Sequence, residues 1–478
     1  MEKKYQMPNL KDARLRTDNP VDIKENLFKI PKAVENIGFG KNFYLRTYGC
    51  QANERDGEVM LGIFKQLGYT QVFDTEEADV ILLNTCAIRE GAEDKVFGEL
   101  GSLKRLKREN PDLILGLCGC MAQEEYVVNR ILEKYQHVDL VFGTHNIHRL
   151  PQLLGQAIFS KEKVIEVFSE EGHVIENLPS SRVGHHKAWV NIIYGCDKFC
   201  SYCIVPYTRG KERSRMMSDV LNEIDEVIEA GYKEVTLLGQ NVNAYGKDLE
   251  DGTSFAKLLQ AVADKNIARI RFTTSHPWDF SEEMIEVIAS NSNVMPSFHL
   301  PVQSGNDKIL RMMGRRYTVD SYKEIYNKLK TRIPNCSFTT DIIVGFPNET
   351  QAQFQETLDL YEYCKFDLAY TFVYSPRKGT PAAKFEDNIS DEVKSQRLQE
   401  LNLLVGKYAQ ENNAKYLNKV VKVLVDGPSK RNKDIYSGYS ETNKLVNFTP
   451  MKAKVGDIVK VLITETKSYS LNGIEKED

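Results

Sequence analysis

No stretch of this 478-residue sequence approaches about eighteen consecutive apolar residues, so no helix is expected to span a membrane. Its first residues, Met-Glu-Lys-Lys-Tyr-Gln, have no apolar core segment, and no secretory signal is expected there. Positive charge is not in excess. Lys and Arg number 63 against 67 Asp and Glu, a net charge of −4, so any contact with a polyanion has to come from local patches. There is no Walker loop, no zinc-protease motif and no Gly-x-Ser-x-Gly elbow, which removes three common enzyme classes. What is present fits folded globular domains, about three by length, with 41% hydrophobic and 27% charged residues. The nine cysteines are an odd count. With no export or membrane segment they imply a reducing cytoplasm, where clustered thiols bind metal or do redox work.

Three of those thiols lie within eight residues. Cys196-Asp-Lys-Phe-Cys200-Ser-Tyr-Cys203 has the spacing C-x3-C-x2-C, with Gly195 before it and Pro206 and Gly210 after it. Soft thiolates suit zinc or an iron–sulfur cluster. A structural zinc site wants four ligands, whereas three Cys and no nearby His leave one position open. Electron-transfer clusters close every position with Cys. This spacing, with an aromatic residue before the last Cys, resembles the signature of radical S-adenosylmethionine (SAM) enzymes. In those enzymes a cubane's free iron chelates the amino and carboxylate groups of SAM.

Residues 1–40 are polar and weakly periodic and are read as an extension, partly ordered at best. From residue 41 to about 165, short apolar strands alternate with helices, which indicates a doubly wound parallel-sheet domain. Expected strands are Phe43–Tyr48, Val80–Leu83, Leu113–Leu117 and Leu140–Phe142; expected helices are Asn53–Leu67 and Ala92–Glu109. Cys50, Cys86 and Cys120 each follow a strand, and open α/β sheets bind ligands outside the carboxyl ends of their strands. Cys118 lies inside its strand and is read as a core thiol; Cys336 and Cys364 are read as buried or helix-face thiols. The charged stretch Ser160–Arg182 is read as a linker, with a hairpin as the alternative.

The region 182–411 contains six strand–helix units, the pattern of a partial (β/α)6 barrel with its chemistry at the C-terminal ends of the strands. Strands are expected near 190–194, 234–238, 269–273, 298–301, 337–343 and 369–374, and Ser218 is expected to cap the helix Ser218–Ala230. Polar clusters sit at the strand ends. Gln240, Ser275, Gln303 and Asp341, with Arg316 and the loop residue Tyr202, are the candidate contacts to cofactor or substrate. The basic run after the thiol loop supplies Arg209, Lys211, Arg213 and Arg215 as candidate phosphate contacts. A long helix, Asp391–Leu417, leads to the tail 413–478. Short β-rich runs there, at Val420–Val425, Leu445–Phe448 and Asp457–Thr466, predict a small antiparallel β-barrel. The tail carries 12 Lys and Arg against 8 Asp and Glu. Tyr436, Tyr439 and Phe448 lie between its basic residues, a composition suited to RNA and equally to an ordinary structural barrel.

From about Lys41 onward the chain resembles the methylthiotransferase family of radical SAM enzymes. The stretches that carry the likeness are T-Y-G-C-Q-A-N-E at 47–54, N-T-C-A-I-R-E at 84–90 and G-C-D-K-F-C-S-Y-C-I-V-P-Y-T-R-G at 195–210. Leu238–Asn243, Thr274–Pro277 and Arg213–Arg215 are most similar to the branch that acts on N6-dimethylallyladenosine of tRNA, rather than on threonylcarbamoyladenosine or a ribosomal protein. The resemblance implies a cytoplasmic enzyme that inserts a methylthio group at C2 of N6-dimethylallyladenosine at position 37, beside the anticodon. It implies two 4Fe-4S clusters. Cys196, Cys200 and Cys203 would hold the SAM-binding one and serve catalysis; Cys50, Cys86 and Cys120 would hold an auxiliary one carrying the sulfur. It also implies a C-terminal RNA-binding module, called TRAM, and an electron donor such as a flavodoxin or ferredoxin. The rival readings are the same chemistry on threonylcarbamoyladenosine or on a ribosomal protein, and a non-catalytic, metal-stabilised RNA-binding protein.

Overall fold

In the computed structural model, residues 26–87, 90–167, 175–182, 184–429 and 432–477 are described. The chain divides into two compact units. The first holds the N-terminal region to residue 183 together with 193–197 and 203–215; the second holds 184–192, 198–202 and everything from 216. The eight-residue thiol loop is shared out between them: Cys196 and Cys203 belong to the first unit and Cys200 to the second.

The first unit is a six-stranded, all-parallel sheet. Its order across the sheet is Thr70–Gln71, Asn42–Thr47, Val80–Thr85, Ile114–Gly119, Leu140–Phe142 and Val164–Glu166. Val80–Thr85 and Ile114–Gly119 are buried at every residue, because both faces of the sheet are covered. Helices Gln51–Gln66 and Leu150–Ser160 pack on one face around Phe43, Phe64 and Leu153. Helices Glu90–Glu109 and Glu125–Lys134 pack on the other around Val96, Leu100 and Val128. That is the doubly wound arrangement. The order reverses at Asn42–Thr47 and Val80–Thr85, where such sheets open a crevice.

Two expectations change here. Part of the supposed extension is structural: Val34 is buried, and Phe28, Ile30 and Ile37 pack on the same core. The supposed linker supplies the sixth strand, Val164–Glu166, and a two-residue strand, Ile175–Glu176, that pairs in parallel with Asn26–Leu27. Residues 1–25 of the expected extension lie outside the described residues.

In the second unit, six parallel strands follow chain order as two triplets. Lys187–Asn191, Glu234–Leu238 and Arg269–Phe272 form one; Ser297–His299, Ser337–Val344 and Leu368–Val373 form the other. The triplets meet at a single parallel bridge, Ile270 to Val294. The helix expected from Ser218 starts at Met217 with Met216 as its cap, so Ser218 is not the capping residue. Its stripe Val220, Ile224 and Val227 is buried as the periodicity requires.

The tail closes into a five-stranded barrel in which every pair is antiparallel except Leu445–Thr449 with Leu471–Glu475. It is fastened to the N-terminal ends of the parallel strands. Arg269, 2% exposed, donates to the carbonyls of Tyr439 (2.9 Å) and Lys422 (3.0 Å). Arg271 donates to Ser440 and Glu441. Asp426 pairs with Lys187 at 2.6 Å, and Lys444 with Asp367 at 2.6 Å. The helix Asp391–Ala414 runs along Leu368–Val373 into this barrel.

Candidate active site

The two strands of the reversal point and the strand next to them each deliver a thiol. Cys50 ends the turn after Asn42–Thr47 and is the N-cap of helix Gln51–Gln66; Cys86 follows Val80–Thr85; Cys120 follows Ile114–Gly119. The turns are tight enough to require glycine. Gly49 has φ 126°, and a Cβ there would stand 2.4 Å from Cβ of Cys86. Gly119 has φ 93°, and its Cβ would stand 2.5 Å from Asn84 Oδ1.

Two of the three thiols, Cys50 and Cys120, lie against Asn53, which is one helical turn beyond Cys50 and fully buried; Cys86 reaches Cys50. Asn53 Oδ1 lies 3.9 Å from Cys50 Sγ and 3.6 Å from Cys120 Sγ. Its Nδ2 donates to the carbonyls of Thr85 (2.7 Å) and Tyr48 (3.1 Å), which ties the amide to both neighbouring strand ends. A hydrogen bond from Cys86 holds the Cys50 thiol down to about 5; burial opposes it, and Arg209 and the helix-start N–H groups of Asn53 and Ala52 add to it. Burial pushes Cys120 up to about 11, against the pull of Arg209.

Arg209 is the feature that sequence reading misplaced. Expected to face phosphate, it is buried: Nε donates to Cys120 Sγ at 3.2 Å, and Nη2 donates to Asn53 Oδ1 and Asp56 Oδ2, both at 2.7 Å. Burial works against its charge, but Asp56, Cys120 and Cys50 together keep its pKa well above the ordinary value. Arg213 and Arg215 are also buried, and Arg213 donates to the carbonyls of Lys211 and Arg209. Within the run, Arg213–Ser214 pairs antiparallel to Ile193–Tyr194, and of the four basic residues Lys211 keeps partial exposure.

In the second unit, the stretch 198–202 is seated on the turn after helix Asp307–Met312. Ser201 N donates to Met313 O (2.8 Å), Ser201 Oγ to Met312 O (2.8 Å), and Ala382 N to Ser201 O (2.8 Å). Cys200 is buried, and Arg315 Nη1 donates to its sulfur at 3.5 Å. Arg315 also reaches Pro301 O (2.7 Å) and the Tyr317 hydroxyl (2.9 Å). Lys198 pairs with Asp279 at 2.7 Å, and Asn241 and Lys247 bind the same carboxylate. Burial alone would raise that carboxyl; the lysines hold it down to about 2. His276 is held well below its ordinary range, first by burial and then by Arg315, so its ring is neutral.

The expected contacts divide. Ser275 and Gln303 are buried at their strand ends, and Gln303 takes φ 71°, a strained value for a non-glycine residue. Asp341 faces His299 at 3.4 Å. Gln240 is half-buried. Tyr202 packs beside Ile309, Met313 and Phe346. Arg316 is exposed and stacks over Trp278 at 5.2 Å. Sequence reading passed over Asn53, Asp56, Asp279 and Arg315. Asn53 follows Cys50 by three residues, a helix-start spacing that was available as a signal.

These residues fit the groups that the resemblance implies. Strand-end thiols in a glycine-lined crevice, with a guanidinium against one sulfur, form a donor set for an iron–sulfur cluster. Among the described residues no three His, Cys, Asp or Glu side chains close on one point as a single ion requires. A cubane instead takes its three thiolates on three separate irons. No helix among the described residues is long and apolar enough to cross a membrane.

Three family models match in order: an uncharacterized protein family, UPF0004, over residues 42–143; the Radical SAM superfamily over 190–361; and the TRAM domain over 414–474. A tRNA-2-methylthio-N(6)-dimethylallyladenosine synthase of Bacillus cereus (strain AH187) is 60% identical over 98% of this chain and 92% of its own length. The protein of the same name from Bacillus anthracis is 59% identical over the same shares. Among solved structures, the radical SAM methyltransferase TsrM from Kitasatospora setae, with cobalamin and a [4Fe-4S] cluster bound, aligns at TM-score 0.50 and 13% identity over 72% of this chain and 77% of its own. The cobalamin-dependent radical SAM enzyme OxsB aligns at TM-score 0.50 and 14% identity over 76% and 56%. These two likenesses speak to the fold alone.

Proposed function

The chain belongs to the tRNA-2-methylthio-N(6)-dimethylallyladenosine synthases of the radical SAM superfamily, and from that membership we propose how its own residues carry the reaction. It is a methylthiotransferase that converts N6-dimethylallyladenosine, beside the anticodon of tRNA, into the 2-methylthio derivative. SAM and a [4Fe-4S] cluster are its cofactors at the level of the superfamily. When bound, they supply one-electron cleavage of SAM and the sulfur to be inserted, chemistry that no side chain performs on an unreactive aromatic C–H bond.

Within that frame the residues divide. Cys196, Cys200 and Cys203 would hold the SAM-binding cluster, and Cys50, Cys86 and Cys120 a second, auxiliary one. Arg315 orients Cys200, and Asn53 orients Cys50 and Cys120. The polar strand ends at Ser275, Gln303 and Asp341, with Gln240, Tyr202 and Arg316, line the approach for SAM and the adenine. Lys211 and the basic tail meet the anticodon stem-loop, whose unpaired base is cheaper to extrude than one in a duplex. The electron donor is a small reductant of the flavodoxin or ferredoxin class, and the compartment is the cytoplasm.

The observation that carries the two-cluster reading is the placement of three thiols, 36 and 34 residues apart in sequence, at neighbouring strand ends, two of them against one buried amide. The test is anaerobic reconstitution of the full chain with iron and sulfide, then reaction with SAM, reductant and tRNA bearing N6-dimethylallyladenosine. Nucleoside mass spectrometry is expected to find the 2-methylthio product, with iron sufficient for two clusters. Product only on threonylcarbamoyladenosine or a ribosomal protein overturns the substrate. Uptake of zinc without iron overturns the enzyme.

A further inference from the structure

The thiol loop does not end at its last cysteine. From Cys203 the chain makes the short helix Val205–Thr208, which packs against Cys120–Gln123, and the next residue is Arg209. Four hydrogen bonds pin this segment to the sheet domain. Thr144 Oγ1 donates to Thr208 O at 2.7 Å, and Arg209 reaches Asp56, Asn53 and Cys120. Behind it, Cys196 N donates to Gly210 O at 3.0 Å, and Arg213 Nη2 to Arg209 O at 3.1 Å. The peptide that begins at Cys203 thus also carries a cation, Arg209, that touches a strand-end thiol.

A buried guanidinium held by a carboxylate, an amide oxygen and a sulfur is fixed in place and in charge. Any cluster on Cys120 gains negative charge when it is reduced. A positive charge hydrogen-bonded to one of its sulfurs stabilises the reduced form more than the oxidised one. Asp56, on the far side of the same guanidinium, acts with the opposite sign.

We propose that Arg209 is a positioning residue for the auxiliary centre, delivered by the segment that bears Cys203, and that with Asp56 it sets how readily a cluster on Cys50, Cys86 and Cys120 accepts an electron. This rests on the two-cluster reading above. It gives Arg209 a role at the strand-end thiols in place of the phosphate contact expected of it.

The test uses the full chain with Cys196, Cys200 and Cys203 replaced by Ala, so that only the strand-end thiols can take up a cluster. Iron content and a dithionite redox titration followed by electron paramagnetic resonance are the readouts. Arg209→Gln is expected to disfavour the reduced cluster on the order of tenfold, the worth of one charged hydrogen bond. Arg209→Lys, which keeps the charge, is expected to restore most of the difference. Asp56→Asn is expected to move the equilibrium the other way. General loosening of the fold moves Arg209→Gln and Asp56→Asn in the same direction, and that result overturns the proposal, as does an unchanged equilibrium in Arg209→Gln. If Arg209→Gln does not fold, the opposite displacement of Asp56→Asn and the rescue level of Arg209→Lys decide. Absence of iron in the Arg209-intact protein defeats the two-cluster reading instead, so the two failures are told apart.

Discussion

The two thiol sites solve one problem in opposite ways. The loop site draws its cysteines from eight consecutive residues, and its local shape comes from the turn it sits on, through Ser201 and Arg315. The strand-end site draws its cysteines from 71 residues of chain, and only the finished sheet brings them together. Yet each places a buried guanidinium against one sulfur, Arg315 on Cys200 and Arg209 on Cys120. The lesson is that a thiolate site needs a fixed positive partner whether its ligands are local or distant.

The contrast breaks most sharply at the ligands. Replacing Cys196, Cys200 and Cys203 by Ala is expected to abolish both SAM cleavage and methylthiolation, measured by chromatography of 5′-deoxyadenosine and by nucleoside mass spectrometry. Replacing Cys50, Cys86 and Cys120 is expected to abolish methylthiolation while leaving SAM cleavage measurable. Full activity of the second set on tRNA ends the auxiliary-centre reading. One step down are the orienting residues. Arg315→Gln is expected to cost about 10–100-fold in SAM cleavage with the strand-end iron intact. Asn53→Ala is expected to lower the strand-end iron by a similar factor with SAM cleavage retained. If either substitution harms both sites equally, the sites are not separable. The smallest effect is on stability alone. Arg269→Ala removes a buried donor from the carbonyls of Tyr439 and Lys422, an expected loss of about 1–3 kcal/mol by denaturant titration, with SAM cleavage unchanged at moderate temperature.

The same contrast explains what could be read before the structure. The loop thiols stand out in sequence because their spacing is local. The strand-end site was legible through topology: each cysteine lies just past a buried apolar run, and parallel strands bring such ends to one edge. Arg209 was not legible, because its partner Asp56 lies 153 positions earlier and nothing local marks a charge run for burial. Arg315 was passed over for its neighbour Arg316, since both are arginines and only one turns inward. In the tail, Tyr436–Ser440 and Leu471–Glu475 were missed because each contains a glycine and little continuous apolar character. Barrel closure imposes those strands: a Cβ on Gly438 would stand 2.1 Å from Leu424 O, and one on Gly473 2.3 Å from Leu462 O.

The tail's seat has a practical consequence. Its attachment covers the starts of parallel strands, with Arg269 and Arg271 as the rivets. Cutting the tail away uncaps two desolvated guanidiniums and the starts of several strands, so a truncated chain reports on a damaged scaffold before it reports on RNA. Charge reversal at outward-facing lysines such as Lys452, 83% exposed at its side chain, asks the RNA question while leaving that attachment intact.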